Sequence, residues 1–316
     1  MMRQKITIGT RKSALALWQS NFIKGEIERN YPGVQVELKH IVTMGDKTQD
    51  SSVAIPAIGG KGLFTAELEE ALLSKEIDLA VHSLKDLPTT IPDTFTLGAI
   101  PKRAAPNDIY ISRSGEPLSK LPAGAVVGTS SLRRVSQILR LRPDLKTLLI
   151  RGNVDTRIRK LRDVTGPYDA ILLAQAGLER LGLMCEVTEV LSLEAMLPAP
   201  GQGAMAVECR ADDESLIAGL RFIHDHKTMV ETTAERCFLQ ALGAGCNTPV
   251  AAFAEMCATG EGAAERKVVT FRGRCLASDA SRVIEVSGES SPDRAAELGI
   301  EMAQMARSQG FNELTI

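Results

Sequence analysis

The first hundred residues alternate between two patterns of apolar positions. Segments in which every second residue is apolar are typical of half-buried strands, and segments with apolar residues three or four apart are typical of helices. The chain predicts strands at 5–10, 34–42, 78–84 and 95–100, with helices at 13–30 and 64–77. Strands that alternate with helices of this length indicate a mainly parallel sheet with helices on both faces.

The alternation restarts after residues 101–108, where prolines and polar residues interrupt it. Strands are predicted at 108–113, 125–130, 146–151 and 169–174, with helices at 131–142, 153–163 and 175–182. A second interruption, "LPAPGQG" at 197–203, precedes a strand at 204–209. The last third has a different order of elements: a helix at 229–242, strands at 249–256, 267–277 and 282–288, and a closing helix at 292–308.

These patterns predict an α/β fold with two lobes and a smaller α+β domain at the carboxyl end. A chain of 316 residues is also longer than one hydrophobic core usually supports. We predict that residues 1–102 and 201–222 form domain 1, that residues 103–200 form domain 2, and that residues 223–316 form domain 3.

Composition narrows the classes of protein that remain. The chain has 44% hydrophobic and 24% charged residues and a net charge of −2, which is ordinary for a soluble globular protein. No apolar run approaches the roughly 18 residues that cross a bilayer, and the start lacks the apolar region of a secretory signal. We therefore expect a cytoplasmic protein without membrane contact. Six cysteines without C-x-x-C spacing and four histidines without a metal-binding motif predict free thiols and no metal site.

One arrangement of residues occurs twice. Residues 6–17, "ITIGTRKSALAL", and residues 126–137, "VVGTSSLRRVSQ", each predict a strand, Gly-Thr, a turn rich in hydroxyls and arginine, and a helix. Each turn would lie where backbone N–H groups and the helix dipole favour anions. Ordinary capping by Ser13 and Ser131 is the alternative, and capping is the commoner role for either serine alone. The neighbouring arginines favour anion binding.

Positive charge is concentrated next to the second of these turns. Residues 131–162 contain ten basic and two acidic residues, a net charge of +8 in an acidic protein. A solvated helix face is one explanation, and a local anionic partner is the other. We favour as ligands the arginines near helix starts and strand ends: Arg133, Arg134, Arg151 and Arg157. Nucleic acid is the competing anion, but this window has no aromatic residue and the pI is near 6.2.

Three other side chains are candidates for chemistry. In "LAVHSLKDLPT" (79–89), Asp86 follows a strand, where a carboxylate can transfer protons or stabilise a cation, although a turn-forming aspartate is the alternative. Lys61 in "GGKG" is a candidate anion contact. Cys246 in "ALGAGCNTPV" (241–250) follows a run of small residues, and burial as a small hydrophobe is the commoner role of a free cysteine.

Taken together, these segments resemble the hydroxymethylbilane synthase family, also called the porphobilinogen deaminase family. Eight matching pieces occur in the family's order over residues 9–249: "GTRKSALALWQ", "GGKGLF", "AVHSLKDLP", "VVGTSSLRR", "RGNVDTR", "LAQAGLERLG", "PGQGA" and "GAGCNTP". Each piece alone has little specificity, whereas eight in order have much. The resemblance implies two lobes similar to those of periplasmic binding proteins, joined by the segments at 101–108 and 197–203, and a third, smaller domain.

The resemblance also implies a deaminating transferase of tetrapyrrole and haem biosynthesis. Such an enzyme joins four porphobilinogen molecules head to tail, with loss of ammonia, to give hydroxymethylbilane. It carries a covalent dipyrromethane cofactor on a cysteine, which by motif match is Cys246. We expect porphobilinogen as the small-molecule partner, no metal, no nucleic acid and a monomeric chain.

The family's functional residues are carried over by motif match. Asp86 matches the catalytic aspartate, which hydrogen-bonds pyrrole N–H groups and stabilises the cation left by loss of ammonia. The residues assigned to the cofactor are Cys246, Gly245, Lys85, Asp86, Thr129, Ser131, Arg133 and Arg134. The residues assigned to substrate are Arg11, Ser13, Lys61, Arg151, Arg157, Arg180 and Gln202. The basic side chains suit the acetate and propionate groups that every pyrrole ring brings.

Two positions depart from the family pattern. Ala57 stands where relatives often have lysine, which removes one candidate carboxylate contact, and Ala244 stands where they commonly have glycine. A two-lobed protein that binds a small carboxylate-bearing ligand without catalysis is the main alternative, and a nucleic-acid-binding regulator is the weaker one. The missing signal sequence, Asp86 and Cys246 argue against the first alternative, and the missing aromatics argue against the second.

Overall fold

The computed structural model describes residues 3–44, 65–245, 248–259 and 266–314. The described strands are β1 (Lys5–Thr10), β2 (Gln35–His40), β3 (Leu79–Ser83), β4 (Phe95–Ala99), β5 (Asp108–Ser112), β6 (Val126–Gly128), β7 (Lys146–Leu148), β8 (Ala170–Ala174), β9 (Glu189–Val190), β10 (Met205–Arg210), β11 (Val250–Thr259), β12 (Arg266–Leu276) and β13 (Val283–Ser290). The described helices are α1 (Ala14–Asn30), α2 (Ala66–Leu73), α3 (Leu132–Leu141), α4 (Val154–Arg162), α5 (Gln175–Leu181), α6 (Glu214–Gly219), α7 (His226–Ala241) and α8 (Ala295–Ser308).

The chain forms two compact units, each assembled from two stretches of sequence. Unit 1 consists of residues 1–103 and 204–228, and unit 2 consists of residues 104–203 and 229–316. Unit 2 contains a five-stranded sheet and a separate three-stranded sheet. The division of this unit into a second and a third domain, with the boundaries given above, stays a prediction.

The sheet of unit 1 has the order β2-β1-β3-β10-β4. Strands β2, β1 and β3 are parallel, whereas β10 is antiparallel to both of its neighbours. Alternate residues of β1 and β3 face opposite sides of the sheet, as the two-residue period requires. Ile6 and Leu79 pack with α1 residues such as Ile23 on one side, and Ala80 packs with α2 residues such as Leu68 on the other.

The larger sheet of unit 2 repeats this arrangement in the order β7-β6-β8-β5-β9. Strands β7, β6 and β8 are parallel, and β5 is antiparallel to β8 and β9. One face is covered by α3 through Ile138, and the other by α4 and α5 through Ile158 and Leu178. The predicted α/β class is therefore confirmed, with two mixed sheets of the same strand order.

The antiparallel strand in each sheet is the strand that follows a segment crossing from the other unit. Strand β5 follows residues 104–107, and β10 follows Ala204. A strand that enters in this way is not preceded by a helix crossover within its own sheet, so the rule that makes such crossovers parallel does not apply to it. The mainly parallel pattern expected from the sequence is correct for the three strands that helices connect.

The crossing segment at "PGQG" comes close to the other crossing segment within unit 2. The N–H of Ala104 donates to the carbonyl of Gly203 at 3.2 Å. Gly203 has a φ of +89°, and a Cβ atom there would lie 2.5 Å from the carbonyl oxygen of Ala104. Glycine is therefore required at this position both for backbone conformation and for space.

The carboxyl-terminal sheet has the order β11-β12-β13, and all of its pairings are antiparallel. Helices α7 and α8 pack against it, and their shared core includes Phe238, Phe271, Val286, Leu298 and Met302. The predicted α+β character of this region is confirmed. Across the described ranges, no helix is both long and apolar enough to cross a membrane.

Candidate active site

In unit 1, the carboxyl ends of β1 and β3 carry predicted site residues at one edge of the sheet. The two strands are neighbours and parallel, so the residues after them share that edge. After β1, the chain turns into α1, and the hydroxyl of Ser13 accepts a hydrogen bond from the N–H of Ala16 at 3.3 Å. Arg11 lies in the same turn and is half-buried. Ser13 therefore caps α1, which is the role considered above as the alternative to anion binding.

After β3, residues Leu84–Asp86 form a single 3-10 turn. Leu84 and Leu87 are buried, and the N–H of Leu84 donates to the carbonyl of Ala204 at 3.0 Å. Lys85 is half-buried and Asp86 is exposed. The buried leucines fix the turn to the sheet, and the carboxylate between them is accessible to solvent.

The strand that carries this turn has a buried polar contact with its antiparallel neighbour. Nε2 of His82 on β3 lies 2.9 Å from Oε2 of Glu208 on β10, and both side chains are buried. One residue further on, the hydroxyl of Ser83 accepts a hydrogen bond from the side-chain amide of Gln19 at 3.0 Å. These contacts join β3 to β10 and to α1 directly below the turn that bears Asp86.

In unit 2, the corresponding turn between β6 and α3 has a different pattern of hydrogen bonds. The N–H of Ser131 donates to the hydroxyl oxygen of Thr129 at 3.2 Å, and the side chain of Ser131 makes no capping hydrogen bond. Thr129 is buried, and its own N–H donates to the carbonyl of Leu148 at 3.0 Å. The serine at the start of α3 is therefore not a side-chain cap, in contrast to Ser13.

Arg133 and Arg134 both point inward to one carboxylate. Nη1 of Arg133 donates to Oδ2 of Asp108 at 2.6 Å, and Nε and Nη2 of Arg134 donate to Oδ1 at 3.0 and 2.8 Å. Asp108 has no exposed surface, and the two arginines are 4% and 6% exposed. Burial raises the pKa of the Asp108 carboxyl group, but Arg133 and Arg134 outweigh burial and hold this pKa well below its usual range.

One nitrogen of this cluster has no hydrogen bond. Nε of Arg133 is buried and has no partner in the part of the chain that the structure describes. A buried donor without an acceptor is unfavourable, and a carboxylate is the acceptor that a guanidinium group pairs with best. The residues present therefore fit a cofactor or substrate that brings carboxylate groups to this point.

Gln202 and Arg180 lie beside the crossing segments. The side-chain amide of Gln202 is fully buried and donates to the carbonyl of Pro106 at 2.7 Å and to Oδ1 of Asp108 at 3.0 Å. Nη2 of Arg180 donates to the carbonyl of Gly203 at 2.7 Å. Burial lowers the pKa of Arg180 to about 10, which leaves the guanidinium protonated at neutral pH. Contact of either side chain with substrate stays a prediction.

The other two predicted arginines follow β7. Arg151 is half-buried, and its carbonyl accepts a hydrogen bond from Lys160 at 3.0 Å. Arg157 lies in the second turn of α4, and its Nε donates to the carbonyl of Gly152 at 2.7 Å. Strands β7, β6 and β8 are parallel, so these arginines share the sheet edge that carries the turn at Thr129.

The described residues before the predicted attachment cysteine follow the end of α7. The helix runs to Ala241, and Gly243 has a φ of +66°, a left-handed conformation that lets the chain turn after the helix. Gly245 is exposed. Cys246 lies outside the described residues, as do Lys61 and Ala57, so their predicted roles stay predictions.

Comparison with known families distinguishes the deaminating enzyme from the two-lobed binding protein that the sequence left as an alternative. Residues 6–218 match the family model described as "Porphobilinogen deaminase, dipyromethane cofactor binding domain". Residues 229–308 match the family model described as "Porphobilinogen deaminase, C-terminal domain". The chain belongs to the porphobilinogen deaminase family. The predicted family, the predicted enzyme class and the predicted kind of cofactor are thereby confirmed.

Relatives in the porphobilinogen deaminase family match over nearly the whole chain. The chain is 44% identical to porphobilinogen deaminase of Brevibacillus brevis over 310 residues, which cover 98% of this chain and 96% of the relative. It is 45% identical to porphobilinogen deaminase of Geobacter metallireducens over 314 residues, which cover 99% of this chain and 95% of the relative. The similarity therefore includes both units.

Similarity to solved structures is much weaker. The methionine-binding protein MetQ aligns over 68% of this chain and 88% of its own, at 14% identity and a TM-score of 0.41. The α/β architecture of this porphobilinogen deaminase family member accordingly rests on its own sheet order.

The structure brings the predicted residues together in two groups. Arg11, Ser13, Lys85 and Asp86 share one sheet edge in unit 1. In unit 2, one sheet edge carries Thr129, Ser131, Arg133, Arg134, Arg151 and Arg157. Two residues near these groups were not predicted from the sequence: Asp108 and Glu208, the buried carboxylates of β5 and β10. An acidic residue within an otherwise apolar strand was the available signal, but it does not tell which distant cation pairs with it. Among the described residues, no group of three or more His, Cys, Asp or Glu could hold a metal ion.

Proposed function

We propose that the chain joins four porphobilinogen molecules head to tail, with loss of ammonia, on a dipyrromethane group attached to Cys246. Membership of the porphobilinogen deaminase family supports the reaction. The observation that carries the assignment of chemistry is the position of Asp86, an exposed carboxylate on a turn that buried leucines fix to the end of β3. A two-lobed protein that only binds a carboxylate ligand would not need this group.

In this proposal, each part of the site has a distinct task. Asp86 accepts hydrogen bonds from pyrrole N–H groups and stabilises the positive charge that develops as ammonia leaves. Arg133, Arg134, Arg151 and Arg157 bind acetate and propionate groups, for which the planar guanidinium is suited. When bound, the dipyrromethane group supplies the primer that the growing chain extends. Nε of Arg133, which has no hydrogen-bond partner among the residues that the structure describes, supports a carboxylate-bearing ligand at this end of unit 2.

The remaining predicted site residues flank these groups. We assign Lys85, Thr129, Ser131 and Gly245 to the cofactor, and Arg11, Ser13, Lys61, Arg180 and Gln202 to substrate. Their places at strand ends, helix starts and crossing segments support contact with an anionic ligand, since backbone N–H groups and basic side chains lie there.

We further propose that the protein works in the cytoplasm as a monomer of three domains, with porphobilinogen as its partner and without metal or nucleic acid. Five cysteines in the described ranges are free thiols, which supports a reducing compartment. A net charge of −2 and a basic window without aromatic residues support a small anionic partner rather than nucleic acid.

Intact-protein mass spectrometry tests the attachment. We expect the active protein to exceed the mass of its chain by two linked pyrrole units, and we expect Cys246→Ser to remove this increment. Cys185→Ser is the matched control, because Cys185 is an exposed thiol that belongs to no family motif. Active protein with the bare chain mass would contradict the covalent cofactor.

Steady-state kinetics tests the carboxylate. We expect Asp86→Asn to keep its cofactor mass and to lower kcat by about 10²-fold or more, because it removes a group that acts on the reacting atoms. Asp93→Asn, at an exposed aspartate further along the same connection, should leave kcat unchanged. Near-normal turnover in Asp86→Asn would remove Asp86 from its role, while the family's reaction would stand.

A further inference from the structure

Asp108, which is not among the predicted ligands, lies at the centre of a buried polar cluster. This residue is the first of β5 and has no exposed surface. Its Oδ2 accepts from Arg133, and its Oδ1 accepts from Arg134 and from Gln202. Within the described ranges, each hydrogen bond of this carboxylate thus comes from a side chain that is predicted to bind cofactor or substrate.

The contacts determine which part of the Arg133 guanidinium can reach a ligand. Nη1 is held by Asp108 at 2.6 Å and by the carbonyl of Leu197 at 2.7 Å. That carbonyl also accepts from Gln137 at 3.0 Å, and the Gln137 side chain accepts in turn from the N–H of Leu197 at 2.9 Å. The group is therefore fixed at one end, and its Nε is left buried without a partner among the described residues.

Arg134 is fixed in a similar way. Its Nε and Nη2 both donate to Asp108, and its Nη1 donates to the carbonyl of Leu172 on β8 at 3.2 Å. Gln202 holds the Asp108 carboxylate from the opposite side and also donates to the carbonyl of Pro106 at 2.7 Å. The place of the carboxylate is thus set by β5, by α3 and by both crossing segments.

We propose that Asp108 is a positioning residue for the cofactor: it orients Arg133 and Arg134 so that Nε of Arg133 faces a ligand carboxylate. This inference rests on the proposed function. Asp108 is not expected to contact the ligand, because both of its oxygens already accept hydrogen bonds from Arg133, Arg134 and Gln202. The carboxylate of Asp108 also places one negative charge beside an anion site, which disfavours ligand binding. In this proposal, its orientation of the guanidinium groups favours ligand binding by more.

An electrostatic role and a positioning role of Asp108 predict opposite effects on the rate of ligand binding in the Arg134→Gln variant. In Arg134→Gln, the single cation Arg133 faces the single carboxylate Asp108. Adding Asp108→Asn to this variant raises the local charge by one unit, so a purely electrostatic effect would speed the binding of an anionic ligand. If Asp108 orients Arg133, the same substitution slows binding. The double variant also leaves only one buried arginine without its carboxylate, which favours a folded protein.

The experiment measures how fast the full chain, prepared without cofactor, gains covalent mass when mixed with porphobilinogen. We expect Arg134→Gln/Asp108→Asn to load about 10-fold or more slowly than Arg134→Gln, at equal folded fraction by circular dichroism. Asp108→Glu keeps the charge but moves the carboxylate, and should also load about 10-fold slower than wild type. Asp213→Asn is the control, because Asp213 is a buried carboxylate that contacts Arg3 and Arg210 in unit 1, and it should load at the wild-type rate.

Equal or faster loading of the double variant would overturn the positioning role. If that background misfolds or fails to load, Asp108→Glu decides: a wild-type rate in this folded variant would overturn the role, and slow loading supports it. A wild-type chain that gains no mass from porphobilinogen would overturn the proposed function and this inference together. Wild-type loading with unaffected Asp108 variants would overturn this inference alone.

Discussion

The two turns that follow β1 and β6 both begin with Gly-Thr, contain hydroxyls and arginine and lead into a helix, but their side chains make different contacts. In the first, Ser13 caps the helix and Arg11 is half-buried. In the second, Ser131 forms no side-chain cap, and the arginines of the helix are buried against Asp108. A repeated sequence pattern thus predicts a repeated backbone without predicting the same polar contacts.

The antiparallel strand of each five-stranded sheet explains the difference. In unit 1 it lies beside β3, the neighbour of β1, and in unit 2 it lies beside β8, the neighbour of β6. Asp108 begins this strand in unit 2 and pairs with Ala174, the last residue of β8. Met205 begins the corresponding strand in unit 1 and pairs with Ser83, the last residue of β3. Unit 2 therefore has a carboxylate where unit 1 has an apolar side chain, and in unit 2 this carboxylate pairs with Arg133 and Arg134.

The largest expected effect comes from removing that carboxylate. Asp108→Asn leaves two buried guanidinium groups without their counter-charge, and we expect it to lower the free energy of unfolding by about 3–5 kcal/mol. Urea unfolding followed by circular dichroism measures it. Asp213→Asn should lose less, because Asp78 still contacts both Arg3 and Arg210. Equal losses of unfolding free energy in the two variants would show that Asp108 contributes no more to stability than Asp213 does.

The pH dependence of stability sharpens the same contrast. The folded-state pKa of Asp108 lies below its unfolded value, so its stabilisation is complete above the unfolded pKa of about 3.9 and is lost as pH falls through the folded pKa. We expect the difference in unfolding free energy between wild type and Asp108→Asn to shrink steadily as pH is lowered from about 5 to 3. Urea unfolding at each pH gives this difference. A difference that stays constant would mean that Asp108 has an ordinary pKa.

The glycines before the two turns should behave alike. A Cβ atom on Gly9 would lie 2.3 Å from Cδ1 of Ile77, and one on Gly128 would lie 2.9 Å from Cδ1 of Tyr168. We expect Gly9→Ala and Gly128→Ala each to destabilise by about 1–3 kcal/mol through overpacking. Gly25→Ala in α1, where nothing lies within 4 Å, should be neutral or stabilising in the same thermal unfolding assay. A loss confined to one turn would break the similarity of the two backbones.

The smallest expected effect distinguishes the two serines. Ser13→Ala removes a side-chain cap and should cost about 1 kcal/mol of stability in the cofactor-free protein. Ser131→Ala removes no capping hydrogen bond and should change stability by less than about 0.5 kcal/mol. Thermal unfolding of both variants measures the pair. Similar losses would show that Ser131 also caps its helix in solution.

Much of the fold was predictable because local periodicity decides it. The alternation around Ile6 and Ile8 and the helical spacing of 13–30 both place apolar side chains toward one core, and the structure has a strand and a helix there. The direction of β10 was not predictable in this way. The pattern of apolar residues in a strand is the same in either direction. Strand β10 is antiparallel to β3 because the chain enters β10 from unit 2.

In the candidate site, too, contacts between sequence neighbours could be predicted and contacts between distant residues could not. Asp86 could be found from its motif because the residues that fix it, Leu84 and Leu87, are its neighbours in sequence. The partner of Arg133 and Arg134 could not, because Asp108 is 25 residues away from the first of them and reaches it only through sheet order. A one-residue helix spacing of the two arginines would place them about 100° apart, yet both converge on one carboxylate.

By itself, the sequence determined the α/β class, the repeated strand–turn–helix units and the family, because these depend on local periodicity and on short motifs. The tertiary structure alone decided which of the two similar turns is capped by its serine and which arginines are buried. The reason is physical: a charged side chain is buried only where a distant strand brings it a partner, and the pairing of strands across two stretches of chain is not written in either stretch alone.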